Sequence, residues 1–256
     1  MSHDVNEASP HAGRQHEPLA SSAWGQFLAP LVVFMLAGSL EPTPDKPFEL
    51  PGFKIEYAFY PWVYTAKIAL TIAAMAYFSR VYRLFPWRIS RLSVVVGAAG
   101  VVVWVVLTNF GLEHSLPELL GRPILGQRSG YNPLEQLSVQ PIAAYGFLAI
   151  RLFGLAVIVP VIEEFFLRGF AMRFVINPDA WWKVPFGTLT PLAVAVGTLL
   201  PMAMHPAELL AAGVWFSMVS WLMARTKNIW NCVVAHAVTN GLLGAWAIYS
   251  GQWYLL

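Results

Sequence analysis

The sequence predicts an all-α fold, a polytopic membrane bundle of about seven to eight transmembrane helices. Three observations predict it. The 256 residues are 57% hydrophobic and only 12% charged, whereas a soluble domain carries about twice that charged share. Mean hydropathy is positive, at +0.56. Apolar runs, each roughly long enough to cross a ~30 Å hydrocarbon core, follow one another along most of the chain. The 19 glycines and 19 prolines suit membrane helices with breaks. A net charge of +2 is too small to argue for nucleic acid as a partner. The single cysteine, Cys232, excludes an intrachain disulfide framework and a cysteine-rich metal site.

Residues 1–22 are polar and mixed in charge, and they read as a disordered cytoplasmic tail. His3, His11 and His16 fall in that tail and carry no functional weight. One arginine and no basic n-region precede the first apolar run, so no cleaved signal peptide is expected. Apolar segments then lie at about 24–40, 58–79, 92–110, 142–174, 187–205, 207–224 and 229–249. Residues 23–141 form an N-terminal set of transmembrane helices, and 142–249 form a second set. The fourth segment is too long for one simple span, so it protrudes, tilts or breaks, Pro160 being the natural break. The polar connection 111–141 is rich in Leu and Pro and suggests a short interfacial helix. No sheet is expected.

Orientation follows from lysine and arginine. Arg80, Arg83, Arg88 and Arg91 crowd one loop, and Arg14, Arg168, Arg173, Lys183, Arg225 and Lys227 fall on the same side. The opposite side holds only Lys46, Lys54, Arg122 and Arg128. The N-terminus is therefore expected in the cytoplasm, with the C-terminus outside if seven spans is right.

Polar groups inside such segments need explaining. An ionisable group at mid-membrane costs ~2.5–3.5 kcal/mol on insertion scales. The stretch VIEEFFLRGF, Val161 to Phe170, places two glutamates and an arginine in an apolar run. Glu164 and Arg168 are i,i+4 neighbours and can pair. Glu163 points ~100° away, with no partner on its own helix. It must protonate, find a distant partner or meet water. His205 ends the fifth segment between Pro201 and Pro206, and His236 and Asn240 share one face of the last. A carboxylate and a histidine can polarise a water, and a histidine with an amide one turn away can stabilise an oxyanion. Each feature alone has a plain structural reading: an ion pair, a helix-end histidine, interhelical glue. Lys67 and Arg151 fit snorkelling or groove-lining side chains.

Together, in this order and spacing, Glu163-Glu164-x-x-x-Arg168, His205 and His236-x-x-x-Asn240 resemble the CAAX protease and bacteriocin-processing (Abi) family of intramembrane endopeptidases, which includes the type II CAAX prenyl proteases. The resemblance covers about residues 142–249, and it makes that stretch the catalytic core. One departure is Pro201, where the family usually has Phe four residues before the middle histidine. The resemblance implies an integral membrane hydrolase, in a bacterial inner membrane, that cleaves a peptide or protein substrate with a membrane-associated segment in the lipid bilayer. It implies Glu163 and His205 as the base and water-positioning pair, His236 and Asn240 as oxyanion donors, and Glu164 with Arg168 as support for the site. It leaves open a zinc ion on Glu163, His205 and His236; the amide of Asn240 suits an oxyanion hole better, so no cofactor is expected to be required. The family's substrates include prenylated proteins and secreted peptides. Two other readings compete. Intramembrane carboxylates and histidines also build proton-coupled transporters, though no inverted repeat is visible. A catalytically silent immunity or scaffold member of the family is the third.

Depth poses a difficulty. A fifth helix starting at residue 187 would carry His205 towards the face opposite Glu163 and His236. The three can meet only if that helix starts late, near Pro191, or tilts strongly.

Overall fold

A computed structural model describes residues 23–109 and 130–256. The 1–22 tail and much of the 111–141 connection, including His114, lie outside the described residues. All seven apolar segments are helical: α1 Trp24–Gly38, α2 Tyr60–Tyr77, α3 Arg91–Asn109, α4 Pro141–Phe174, α5 Pro191–Met204, α6 Leu209–Thr226 and α7 Ile229–Ser250. Of these, α3, α4, α6 and α7 are long and apolar enough to cross a membrane, while α1 and α5 are apolar but shorter. Large apolar side chains such as Leu70, Val95, Val102 and Ile142 are exposed on the outside of the bundle, where lipid would cover them.

One expectation fails. Phe48–Leu50 (β1) and Phe53–Ile55 (β2) form a small antiparallel hairpin. Its turn is Pro51-Gly52. Proline presets the first turn position, and Gly52 sits at φ +80, which glycine adopts without steric cost. Three-residue strands are too short to show alternation against a polar connection.

The long fourth segment does not break at Pro160. It runs as one rod of 34 residues, about 51 Å at 1.5 Å per residue, and changes hydrogen-bond register twice. Gly154–Ile158 and Phe165–Ala171 are π-helical, flanking an α-helical Val159–Glu164. The first π segment accommodates the proline. The Val159 N–H bonds to Gly154 O, five residues back. In that register residue 160 would donate to Leu155 O, and Pro160 has no N–H to give. Leu155 O is thus left for another donor.

The fifth helix starts late. Gly187 takes a positive φ of 92, the Thr190 side chain accepts the Ala193 N–H at 3.2 Å, and Pro191 opens the helix. A hydroxyl N-cap followed by proline is a strong helix start. Pro201 lies inside this helix without interrupting it.

Close packing centres on α3. A Cβ added to Gly97 would lie 2.6 Å from Ala235 O, and one at Gly100 would collide with the Trp215 ring. Small residues at these positions let α3 approach both α6 and α7. Thr239 Oγ1 then donates to Gly97 O at 2.8 Å.

Candidate active site

Glu163 and Glu164 stand between the two π segments of α4, and their directions separate them. Glu164 points into the bundle and is fully buried. Its Oε2 accepts from Arg168 Nη1 at 2.6 Å, as the i,i+4 spacing predicts. Its Oε1 lies 2.9 Å from His236 Nδ1, across to α7. Arg168, also fully buried, donates through Nη2 to Phe216 O at 3.1 Å on α6. The Glu164–Arg168 pair therefore ties three helices together, α4 to α7 through the carboxylate and α4 to α6 through the guanidinium. An ionised carboxylate only accepts, so the shared proton lies on His236 Nδ1, and the ring presents Nε2 on its other side. That Nε2 is 3.9 Å from Glu163 Oε2.

His205 closes α5. The helix tightens at its last turn, with the His205 N–H bonding Met202 O at 3.0 Å. Pro201 O, its α-helical partner, is left for the ring, and His205 Nδ1 sits 2.8 Å from it. A carbonyl accepts, so Nδ1 donates, and the residue lines the cavity. The His205 ring lies 5.8 Å from Trp104 and 5.6 Å from Phe216, and the His236 ring 5.9 Å from Phe216. Phe216 thus packs against both imidazoles while its carbonyl holds Arg168.

Asn240, one turn after His236, donates through Nδ2 to Leu155 O at 2.9 Å. This is the carbonyl that Pro160 leaves without a helical donor. The second amide hydrogen of Nδ2 remains for another acceptor.

Glu163, His205, His236 and Asn240 all line one cavity of about 510 Å³. Depth along the helices agrees. Counting ~1.5 Å per residue from the ends that lie on the basic side, His236 is ~10 Å in, Glu163 and Asn240 ~16 Å, and His205 ~21 Å. A start at residue 187 would have added ~6 Å to the last figure. The late start at Pro191 therefore keeps His205 within ~5 Å of Glu163 and Asn240 in depth, and ~11 Å of His236. Away from them the cavity reaches Lys67, Arg151, Tyr60 and Tyr64. Lys67 is ion-paired with Glu41 and lies 4.3 Å above the Phe34 ring. Arg151 bonds the carbonyls of Tyr131 and Leu256 at 3.0 and 2.7 Å. Both line the cavity.

Zinc would need Glu163, His205 and His236 to converge. Among the described residues no three His, Cys, Asp or Glu side chains are grouped to hold a metal ion. Each histidine has its Nδ1 engaged, on Pro201 O and on Glu164, an arrangement that a metal-ligating histidine shares.

Sequence reasoning missed the link from Glu164 to His236, the tie from Asn240 to Leu155 and the central place of Phe216. Residues 72 and 85 apart in the chain give no pairing signal. Pro160 is the one local hint, since a proline inside a helix must leave a carbonyl without a donor.

No curated protein and no solved structure matches the chain. Residues 145–242 match the family model of the type II CAAX prenyl endopeptidases, Rce1-like. That stretch holds Glu163, Glu164, Arg168, His205, His236 and Asn240, and it spans most of α4, all of α5 and α6, and over half of α7. The chain, an integral membrane protein, is similar over residues 145–242 to the Rce1-like type II CAAX prenyl endopeptidases.

Proposed function

We propose that the protein is an intramembrane endopeptidase whose attacking water is activated at Glu163. The observation that carries this reading is the contrast between the two glutamates. Glu164 is held by Arg168 and His236 with no exposure, while Glu163 faces the cavity with His236 Nε2 3.9 Å away.

The chemistry runs as a hydrolysis. Glu163 takes a proton from a water in the cavity, and His205 Nε2 accepts that water's other hydrogen and fixes its direction. The water oxygen bonds to the carbonyl carbon, whose π pair moves onto oxygen. His236, held at Nδ1 by Glu164, donates Nε2–H to this oxyanion, and the second N–H of Asn240 Nδ2 joins it. Glu163 then returns its proton to the amide nitrogen and the C–N bond breaks; the new acid's hydroxyl proton passes through His205 to the amine, so a carboxylate and an ammonium leave. Glu164 keeps the imidazole in the orientation this requires. No cofactor enters these steps.

The substrate is a peptide or protein with a membrane-associated segment, met within the bilayer. The lysine and arginine bias supports a cytoplasmic N-terminal end, and the reading puts the chain in a bacterial inner membrane. Whether a prenyl group is present on the substrate is tested by the same experiment. The purified protein is incubated with a library of membrane peptides, prenylated and not, and new termini are read by mass spectrometry. Recurrent cleavage at one bond type, absent with Glu163→Gln, supports the reading. Cleavage that persists in Glu163→Gln defeats it.

A further inference from the structure

A second pocket, about 330 Å³, lies at the basic end of the bundle, apart from the cavity. It sits where the loop before α3 meets the turn from α6 into α7. Arg88, Ser90, Lys227, Asn228 and Asn231 line it, and no acidic residue does. Two long helices begin there, α3 at Arg91 and α7 at Ile229. Helix N-termini carry partial positive charge and unpaired N–H groups, which favours anions.

Charge and helix ends alone do not make a site. The side chains supply more. Asn228 joins the two segments, accepting the Trp230 N–H at 2.9 Å and donating to Pro86 O at 2.8 Å. Asn231 is only 3% exposed. Its Oδ1 accepts the Ser90 N–H at 2.7 Å, which directs its Nδ2 the other way. That Nδ2 bonds to none of the described residues. The Ser90 Oγ is buried and likewise has no partner among them. A buried hydroxyl without a partner costs stability unless something supplies one. The pocket therefore offers two cations, an amide, a hydroxyl and two helix ends, almost all of them donors. The complementary ligand is a compact anion with several acceptor oxygens, which is the chemistry of a phosphate.

Position indicates where the phosphate comes from. The Trp87 and Trp230 rings pack at 4.4 Å beside the pocket, and Trp230 Nε1 donates to Phe85 O. Tryptophans concentrate at the headgroup level of a membrane. Arg80, Arg83, Arg91 and Arg225 surround the same end. Basic pockets between membrane helices on this side suit anionic headgroups.

We propose that this pocket binds the phosphate of an anionic phospholipid and clamps the α3 and α7 N-termini together at the headgroup level. The site is separate from the peptidase reading and does not depend on it. His236 lies two turns along α7, so the clamp also steadies the helix that carries it.

The test uses the full chain in nanodiscs. Arg88 and Lys227 are exposed, so Arg88→Gln with Lys227→Gln is expected to fold. Native mass spectrometry should find one retained phosphatidylglycerol on the wild type and roughly thirtyfold weaker retention on the double variant, about fivefold for each cation. Melting temperature should rise from phosphatidylcholine to phosphatidylglycerol discs for the wild type only. Asn231→Leu, read the same way, should also lose the rise. Equal retention and an equal rise in wild type and double variant would overturn the site. A rise of the same size from millimolar inorganic phosphate in phosphatidylcholine discs would overturn the lipid as its source.

Discussion

Replacing Glu164 by Gln changes one charge at the point where three helices meet. The carboxylate accepts from Arg168 Nη1 at 2.6 Å and from His236 Nδ1 at 2.9 Å, with no exposure on Glu164 or Arg168. Glutamine has one acceptor oxygen and one donor nitrogen. It can satisfy either Arg168 or His236, and it turns N–H against N–H at the other. Breaking a buried pair by removing one partner costs on the order of 3–5 kcal/mol. At roughly 2–4 °C per kcal/mol for a chain of this size, the melting temperature should fall by about 6–20 °C. Glu164→Gln with Arg168→Met removes the stranded guanidinium and should recover part of that loss. His236 still lacks its acceptor in the double variant, so cleavage per folded molecule should stay low. The assay pairs thermal unfolding in detergent with cleavage normalised to folded protein. A Glu164→Gln variant that melts with the wild type would refute the structural role assigned to this carboxylate.

Two further substitutions or treatments probe the site. Pro160→Ala returns an N–H to Leu155 O, which then competes with Asn240 Nδ2; cleavage should fall while the melting temperature holds or rises, since proline in a helix interior costs ~3 kcal/mol. An unchanged rate would mean that the tie to Leu155 has no part in placing Asn240. Exhaustive chelation should leave activity intact, and activity lost on chelation but restored by stoichiometric zinc would contradict a cofactor-free site.

What the sequence revealed and what it hid follow from range. Seven apolar segments were legible because membrane helices carry their signal locally, residue by residue. The Glu164–Arg168 pair was legible because i,i+4 neighbours meet on any helix. The late start of α5 could be read from Pro185, Gly187 and Pro191 once depth demanded it. Register changes inside α4 could not: a π segment keeps the composition of the α-helix around it, and only Pro160 betrays the first. The site was legible as a set of polar residues that the membrane must tolerate, but its wiring was not. Glu164 was read as a partner for Arg168 alone, yet its second oxygen orients His236 on another helix. Asn240 was read as an oxyanion donor, yet one of its hydrogens bonds Leu155 O. The short hairpin at Phe48–Ile55 was missed because its strands are three residues each and lie in a polar connection.

The central claim is that Glu163 carries the proton of the attacking water, while Glu164 with Arg168 and His236 carries the main polar tie between the helices. Glu163→Gln tests it most directly, because it keeps size and removes the charge and the basic oxygen. Cleavage per folded molecule and thermal stability are measured side by side on one peptide that the wild type cuts. The account predicts a loss of roughly 10²–10⁴-fold in rate, the worth of general-base catalysis, with a melting temperature close to that of the wild type. A variant that unfolds, or one that cuts at the wild-type rate, would contradict it.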